Sequence, residues 1–126
     1  MMPVVVTVNG TGVSRAIYPD IMQNPFQIGV GIESNVALGS AAATMGWQVE
    51  HTFDYTTVWS PTWNGTTAVW IANSGLNGTA IGSTANATSA NGNYAFPVAA
   101  IRLNVFTTVN ATTAISMVII QATNAP

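Results

Sequence analysis

Apolar and polar side chains alternate along long stretches of this chain, and the period is two. In WQVEHTFDY (47–55), Trp47, Val49, His51, Phe53 and Tyr55 fall on one side, with Gln48, Glu50, Thr52 and Asp54 on the other. Successive side chains of a β-strand point to opposite faces, so the pattern predicts a half-buried antiparallel strand. AIRLNVFTTV (100–109) repeats it, setting Ile101, Leu103 and Val105 against Arg102 and Asn104. Trp47, Phe53, Ile101 and Leu103 are therefore expected to build the core. PFQIGVGIES (25–34) alternates Phe26, Ile28, Val30 and Ile32 with Gln27, Gly29, Gly31 and Glu33. Outward glycines in a strand point to a bulge or to close approach of another backbone. PVVVTV (3–8) and AISMVII (114–120) are more continuously apolar, as for strands covered on both faces. TTAVWIA (66–72) reads as a shorter strand that sends Trp70 into the core.

Turn formers separate these runs: NGTG at 9–12, NG at 64–65, NSGLNG at 73–78 and NGN at 91–93. Short strands punctuated in this way predict an all-β fold, an antiparallel β-sandwich or small barrel. NVALGSAAATMG (35–46) lacks an apolar face of helical period and reads as a loop. Residues 79–92, poor in apolar bulk, read as a long surface loop. No repeat or composition shift divides the chain, so residues 1–126 are one domain. Residues 1–10 are either an N-terminal arm or its first strand.

Composition narrows the partners. The chain is 48% hydrophobic and 5% charged, where about 25% charged is usual. That is the opposite of a disordered composition. No apolar run approaches the roughly 18 residues of a membrane-spanning helix, and the start lacks the basic region of a secretory signal. There is no cysteine for a disulfide or thiolate metal site. There is no lysine either, only Arg15 and Arg102, and the net charge is −2. Nucleic-acid binding draws on several cation–phosphate contacts, so that partner class is excluded. A weakly charged surface of Thr, Ser, Asn, Gln and Gly favours association over mutual repulsion.

The candidate chemistry is sparse. Glu50, His51 and Asp54 cluster in sequence, but on a strand Glu50 and Asp54 stand roughly 13 Å apart. A glycosidase pair needs about 5 to 9.5 Å. His51 points to the other face, so the three do not converge without a bulge. With Asp20 and Glu33 the chain has only five groups of this kind, a poor supply for a metal site. His51 reads as a partly buried strand residue bonded to backbone or a neighbouring hydroxyl, with Glu50 and Asp54 solvated or paired with Arg102. Neither a nucleophile elbow nor a phosphate or dinucleotide loop is present. The expectation is a non-enzyme without cofactor or metal. Five Asn-x-Ser/Thr matches, at Asn9, Asn64, Asn77, Asn86 and Asn110, follow from a chain rich in Asn and Thr. Trp59 and Trp63 flank SPT in a proline-broken segment, where the rings either fold back over the end of the sandwich or, exposed, serve a protein partner or a sugar.

Three stretches, YPDIMQNPFQIGVGI (18–32), VEHTFDYTTVWSPTW (49–63) and ANGNYAFPVAAIRLNV (90–105), resemble in order segments of small β-rich proteins encoded by tailed bacteriophages. The last is the most specific. The loops at 35–46 and 79–92 are longer than in that pattern. The resemblance implies a virion structural component on the capsid surface: a decoration or cement protein of jelly-roll or immunoglobulin-like sandwich type. Its partners would be the major capsid protein and further copies of itself, as dimer or trimer, without nucleic acid or membrane. Met1, Met2, Val4, Val6, Trp59 and Trp63 are the candidate interface residues, the first four because an apolar N-terminal strand can add to a neighbour's sheet. The alternative is a fibre- or tail-associated adhesion module that binds host-surface glycan.

Overall fold

The structure, a computed structural model, describes residues 3–22, 26–33, 44–54, 69–81, 90–108 and 114–121. Eight strands follow in order: β1 (Val4–Asn9), β2 (Gly12–Val13), β3 (Ile28–Glu33), β4 (Thr44–Thr52), β5 (Ile71–Ile81), β6 (Ala90–Tyr94), β7 (Ala100–Thr108) and β8 (Ala114–Gln121). They form two four-stranded antiparallel sheets, ordered β1-β8-β3-β6 and β2-β7-β4-β5. Only β4 and β5 are neighbours both in sequence and in hydrogen bonding; every other step along the chain crosses between sheets. That order is the jelly roll. It excludes the immunoglobulin-like alternative, in which the first two strands pair within one sheet.

The core lies between the sheets. From the first come Val6 and Val8 on β1, Ile28, Val30 and Ile32 on β3, Tyr94 on β6, and Ile115, Met117 and Ile119 on β8. From the second come Trp47 and Val49 on β4, Leu76 on β5, and Ile101, Leu103 and Val105 on β7. The alternation in sequence thus becomes the inner face of each sheet. At the β1–β2 turn Gly10 has φ 71°, a left-handed conformation that a side chain would disfavour.

Several expectations change. β1 and β8 alternate between buried and open positions, so each is covered on one face, with Val5 and Ile120 about half exposed. The shorter strand expected at 66–72 begins only at Ile71 and runs to Ile81, straight through the predicted turn at 73–78. The predicted turn at 91–93 lies inside β6, so the loop expected over 79–92 is strand at both ends. Residues 44–46, expected in a loop, open β4. Backbone pairing explains these elements where side chains do not. β5 bonds to β4 with Gln48 opposite Asn77 and Glu50 opposite Ala72, so residues 73–76 bulge opposite Val49. Leu76 alone drops from that bulge into the core, packing where Gly92 of β6 leaves room.

Candidate functional site

β4 carries two of the three sequence-clustered candidates and sends them to opposite sides of the second sheet. Glu50 faces outward yet is 6% exposed. Its Oε1 accepts from Arg102 Nε at 2.7 Å, and its Oε2 accepts from Asn104 Nδ2 at 3.0 Å and Gln48 Nε2 at 2.5 Å. The partners meet because β7 sets Arg102 opposite Glu50 and Asn104 opposite Gln48. Burial alone would raise the Glu50 pKa, but the bonds from Asn104, Arg102 and Gln48, with the Arg102 charge, outweigh it. The carboxyl is held below the usual glutamate range.

His51 faces inward at one end of the sandwich. Its Nδ1 lies 3.0 Å from the Tyr94 hydroxyl, and Phe53, Tyr94 and Phe96 stand edge-on to it at 5.4, 5.2 and 5.7 Å. Burial lowers its pKa and pushes that of Tyr94 up to about 12, against the bond from Asn73. The hydrogen bond between Nδ1 and the Tyr94 hydroxyl takes its direction from the imidazole tautomer. His51 is thus a buried strand histidine bonded to a hydroxyl.

Asp54 lies past the end of β4, where Oδ2 accepts the Val69 N–H at 2.7 Å. Asp20 is tied by its backbone to Gln121, through bonds of 2.8 Å in each direction, and Glu33 ends β3 on the exposed side. Among the described residues no three His, Asp or Glu side chains are grouped to hold a metal.

The interface candidates redistribute. All six residues of β1 pair with β8 of the same chain, from Val4 opposite Ile119 to Asn9 opposite Ala114. Val6 is 5% exposed in the core, and Val4 packs against it. Residues 4–9 form the first strand of this sheet, paired along one side with β8 and with Val6 and Val8 buried in the core. Met1, Met2, Trp59 and Trp63 lie outside the described residues. Of the expected core residues, Trp47, Ile101 and Leu103 are fully buried. Phe53 is not: β4 ends at Thr52, and the ring sits 49% exposed at the mouth of the His51 cluster. Trp70 is not in the core either. It is half-buried under the Arg102 guanidinium, 4.2 Å from the ring centroid.

The outer face of the first sheet has no counterpart among the sequence candidates. Val5, Val118 and Gly31 share one register row, and Ile120 and Gly29 the next, with Asn91 and Asn93 alongside on β6. A shallow groove of about 430 Å³ runs by Gln27, Gly29, Asn93 and Ile120. A Cβ on Gly31 would meet nothing within 4 Å, and one on Gly29 only the Ile120 carbonyl at 3.8 Å. Compared with known proteins, the chain matches no family model, no curated protein and no solved structure.

Proposed function

We propose that the chain is a virion structural protein of a tailed bacteriophage, a decoration or cement protein that binds the major capsid protein shell. The observation that carries the reading is the outer face of the first sheet. Gly29 and Gly31 sit in a central strand, where each costs roughly 0.5–1 kcal/mol relative to alanine. Neither has the positive φ that would call for glycine, and no neighbour crowds either position. What such glycines admit is a surface from outside, settling against Val5, Val118 and Ile120. Glu33 is the only charged side chain directed outward from these four strands, so contact there is insensitive to salt. The resemblance of three stretches to phage proteins supplies the identity of the shell. Edge strand β1 offers unpaired backbone for association between copies.

The test is co-sedimentation of the purified chain with phage shells that lack it. Binding approaching one chain per shell subunit is expected. Gly31→Lys should bind at least tenfold more weakly, since it places a charge in open space without touching the core. A folded Gly31→Lys chain that binds as well as the parent would remove the face from the proposal. A copy number far below that of the shell subunit would favour the adhesion alternative.

A further inference from the structure

The opposite side of the sandwich has a different chemistry. The chain has two basic side chains, Arg15 and Arg102, and no lysine. The fold brings their backbones side by side at the β2 edge of the second sheet. Val13 pairs with Asn104 and Ile17 bridges to Ile101, four steps against three, so the backbone of Arg15 passes Arg102 at an irregularity and its side chain is exposed. The one carboxylate among them, Glu50, is 6% exposed and already accepts three bonds. Glu50 offsets Arg102, so the exposed Arg15 leaves net positive charge along this edge.

The bonds to Glu50 also set what the surface shows. A carboxylate only accepts, so Gln48 and Asn104 must each turn an NH₂ group toward it, which directs their carbonyl oxygens away. Arg102 uses Nε on Glu50 and its face on Trp70, leaving the two terminal nitrogens as a fixed fork. Fixed forks match carboxylates with two parallel bonds. Two residues beyond Asn104, Phe106 lies over Gly46, where a Cβ would stand 2.7 Å from the ring, and is 53% exposed. Along β7 the face therefore offers cation, amide acceptor and open aromatic ring at successive outward positions, each roughly 7 Å from the next.

We infer that the outer face of the second sheet binds an acidic saccharide. The carboxylate of a uronic- or sialic-type sugar meets Arg102 and Arg15. Sugar hydroxyls donate to the Gln48 and Asn104 oxygens, and a neighbouring ring stacks its C–H face on Phe106. A sugar chain fits better than an acidic peptide, because the open groups are side-chain acceptors and a flat ring on the sheet face. A peptide would engage the backbone of an edge. The inference does not rest on shell binding, since the two faces lie on opposite sides of the sandwich.

The test titrates the full chain with three probes: an oligogalacturonate, a neutral oligosaccharide of equal length and a glutamate-rich peptide. Backbone amide NMR shifts and calorimetry give the readout. The acidic sugar should bind at least tenfold tighter than the neutral one, weaken with added salt, and shift amides of residues 13–15 and 102–106. Arg15→Gln and Phe106→Ala, both at exposed positions, should each weaken it about tenfold with the unfolding midpoint unchanged. Glu50→Gln with Arg102→Gln removes the pair without stranding either charge, and should weaken the acidic sugar at least tenfold by removing the guanidinium fork. Equal affinity for the neutral sugar, tighter binding of the peptide, failure of the acidic sugar to bind, or an Arg15→Gln chain that binds normally would each overturn the inference.

Discussion

Stability should fall as the pH drops below the ordinary histidine range, and His51 should be the cause. The imidazole is 6% exposed and ringed by Phe53, Tyr94 and Phe96. Its Nδ1 shares a hydrogen bond of 3.0 Å with the Tyr94 hydroxyl. A proton added to the ring would place a charge among these aromatic rings, away from water. Glu50, the nearest acid in sequence, points to the other side of the sheet and cannot compensate.

Burial holds the folded pKa below the ordinary histidine value of 6.5, and the sign of the effect follows. Above pH 6.5 neither state is protonated and His51 contributes no pH dependence. As the pH falls through that value, the unfolded chain takes up a proton that the fold resists. Stability then declines with a limiting slope of about 1.4 kcal/mol per pH unit, levelling off below the folded pKa. Glu50 acts in a lower window. Its folded pKa is depressed, so its contribution is present above 4.5 and disappears as the pH falls through the folded value. At that slope one pH unit corresponds to a melting-point drop of about 5 °C for a chain of this size. Urea unfolding followed by tryptophan fluorescence, from about pH 7.5 to about pH 5, should show the decline in the parent and a flat profile in His51→Gln. That variant should also bind shells like the parent, since His51 faces the core. A parent flat across this range, or an equal slope in His51→Gln, would refute the account of the cluster.

Gly78→Ala should destabilise the chain by about 1–3 kcal/mol, because the new Cβ would stand 3.0 Å from the fully buried Trp47 ring; thermal unfolding measures it. Val6→Ala should lower the stability of the isolated chain by roughly 2 kcal/mol, as befits a core position and not an assembly arm; denaturant unfolding at low protein concentration checks this. Glu50→Ala should cost about 3 kcal/mol by leaving Arg102 without its acid, whereas the Glu50→Gln, Arg102→Gln pair should cost measurably less in the same assay.

β3, β4, β7 and β8 are legible as strands because each is flanked on both sides in its sheet and contributes two or more side chains to the core. Their alternation has to be strong. β5 and β6 are edges, and each contributes one large side chain to the core, Leu76 and Tyr94. The Asn, Ser and Gly around those residues look like turn formers because cross-strand bonds, invisible in the sequence, hold them extended. Exposure of apolar residues on β1 and β8 is hidden for a related reason: a continuous apolar run does not say whether its second face meets another layer. Glu50 and Arg102 are readable as outward residues of two strands. Their adjacency, and that of Arg15, depends on registers between segments far apart in sequence.

The Glu50–Arg102 pair invites a purely structural explanation, and the energetics argue against its sufficiency. Withdrawing two charges from water offsets much of their attraction, so apolar residues at the same positions would serve the sheet about as well. The core that joins the sheets lies on the other side of β4 and β7, in Trp47, Val49, Leu103 and Val105, and needs nothing from the pair. Arg15, exposed on the neighbouring backbone, brings the second of the chain's two cations next to the strand that carries the pair. A sugar carboxylate meeting both arginines, as proposed above, supplies a use for them that the sheet itself does not.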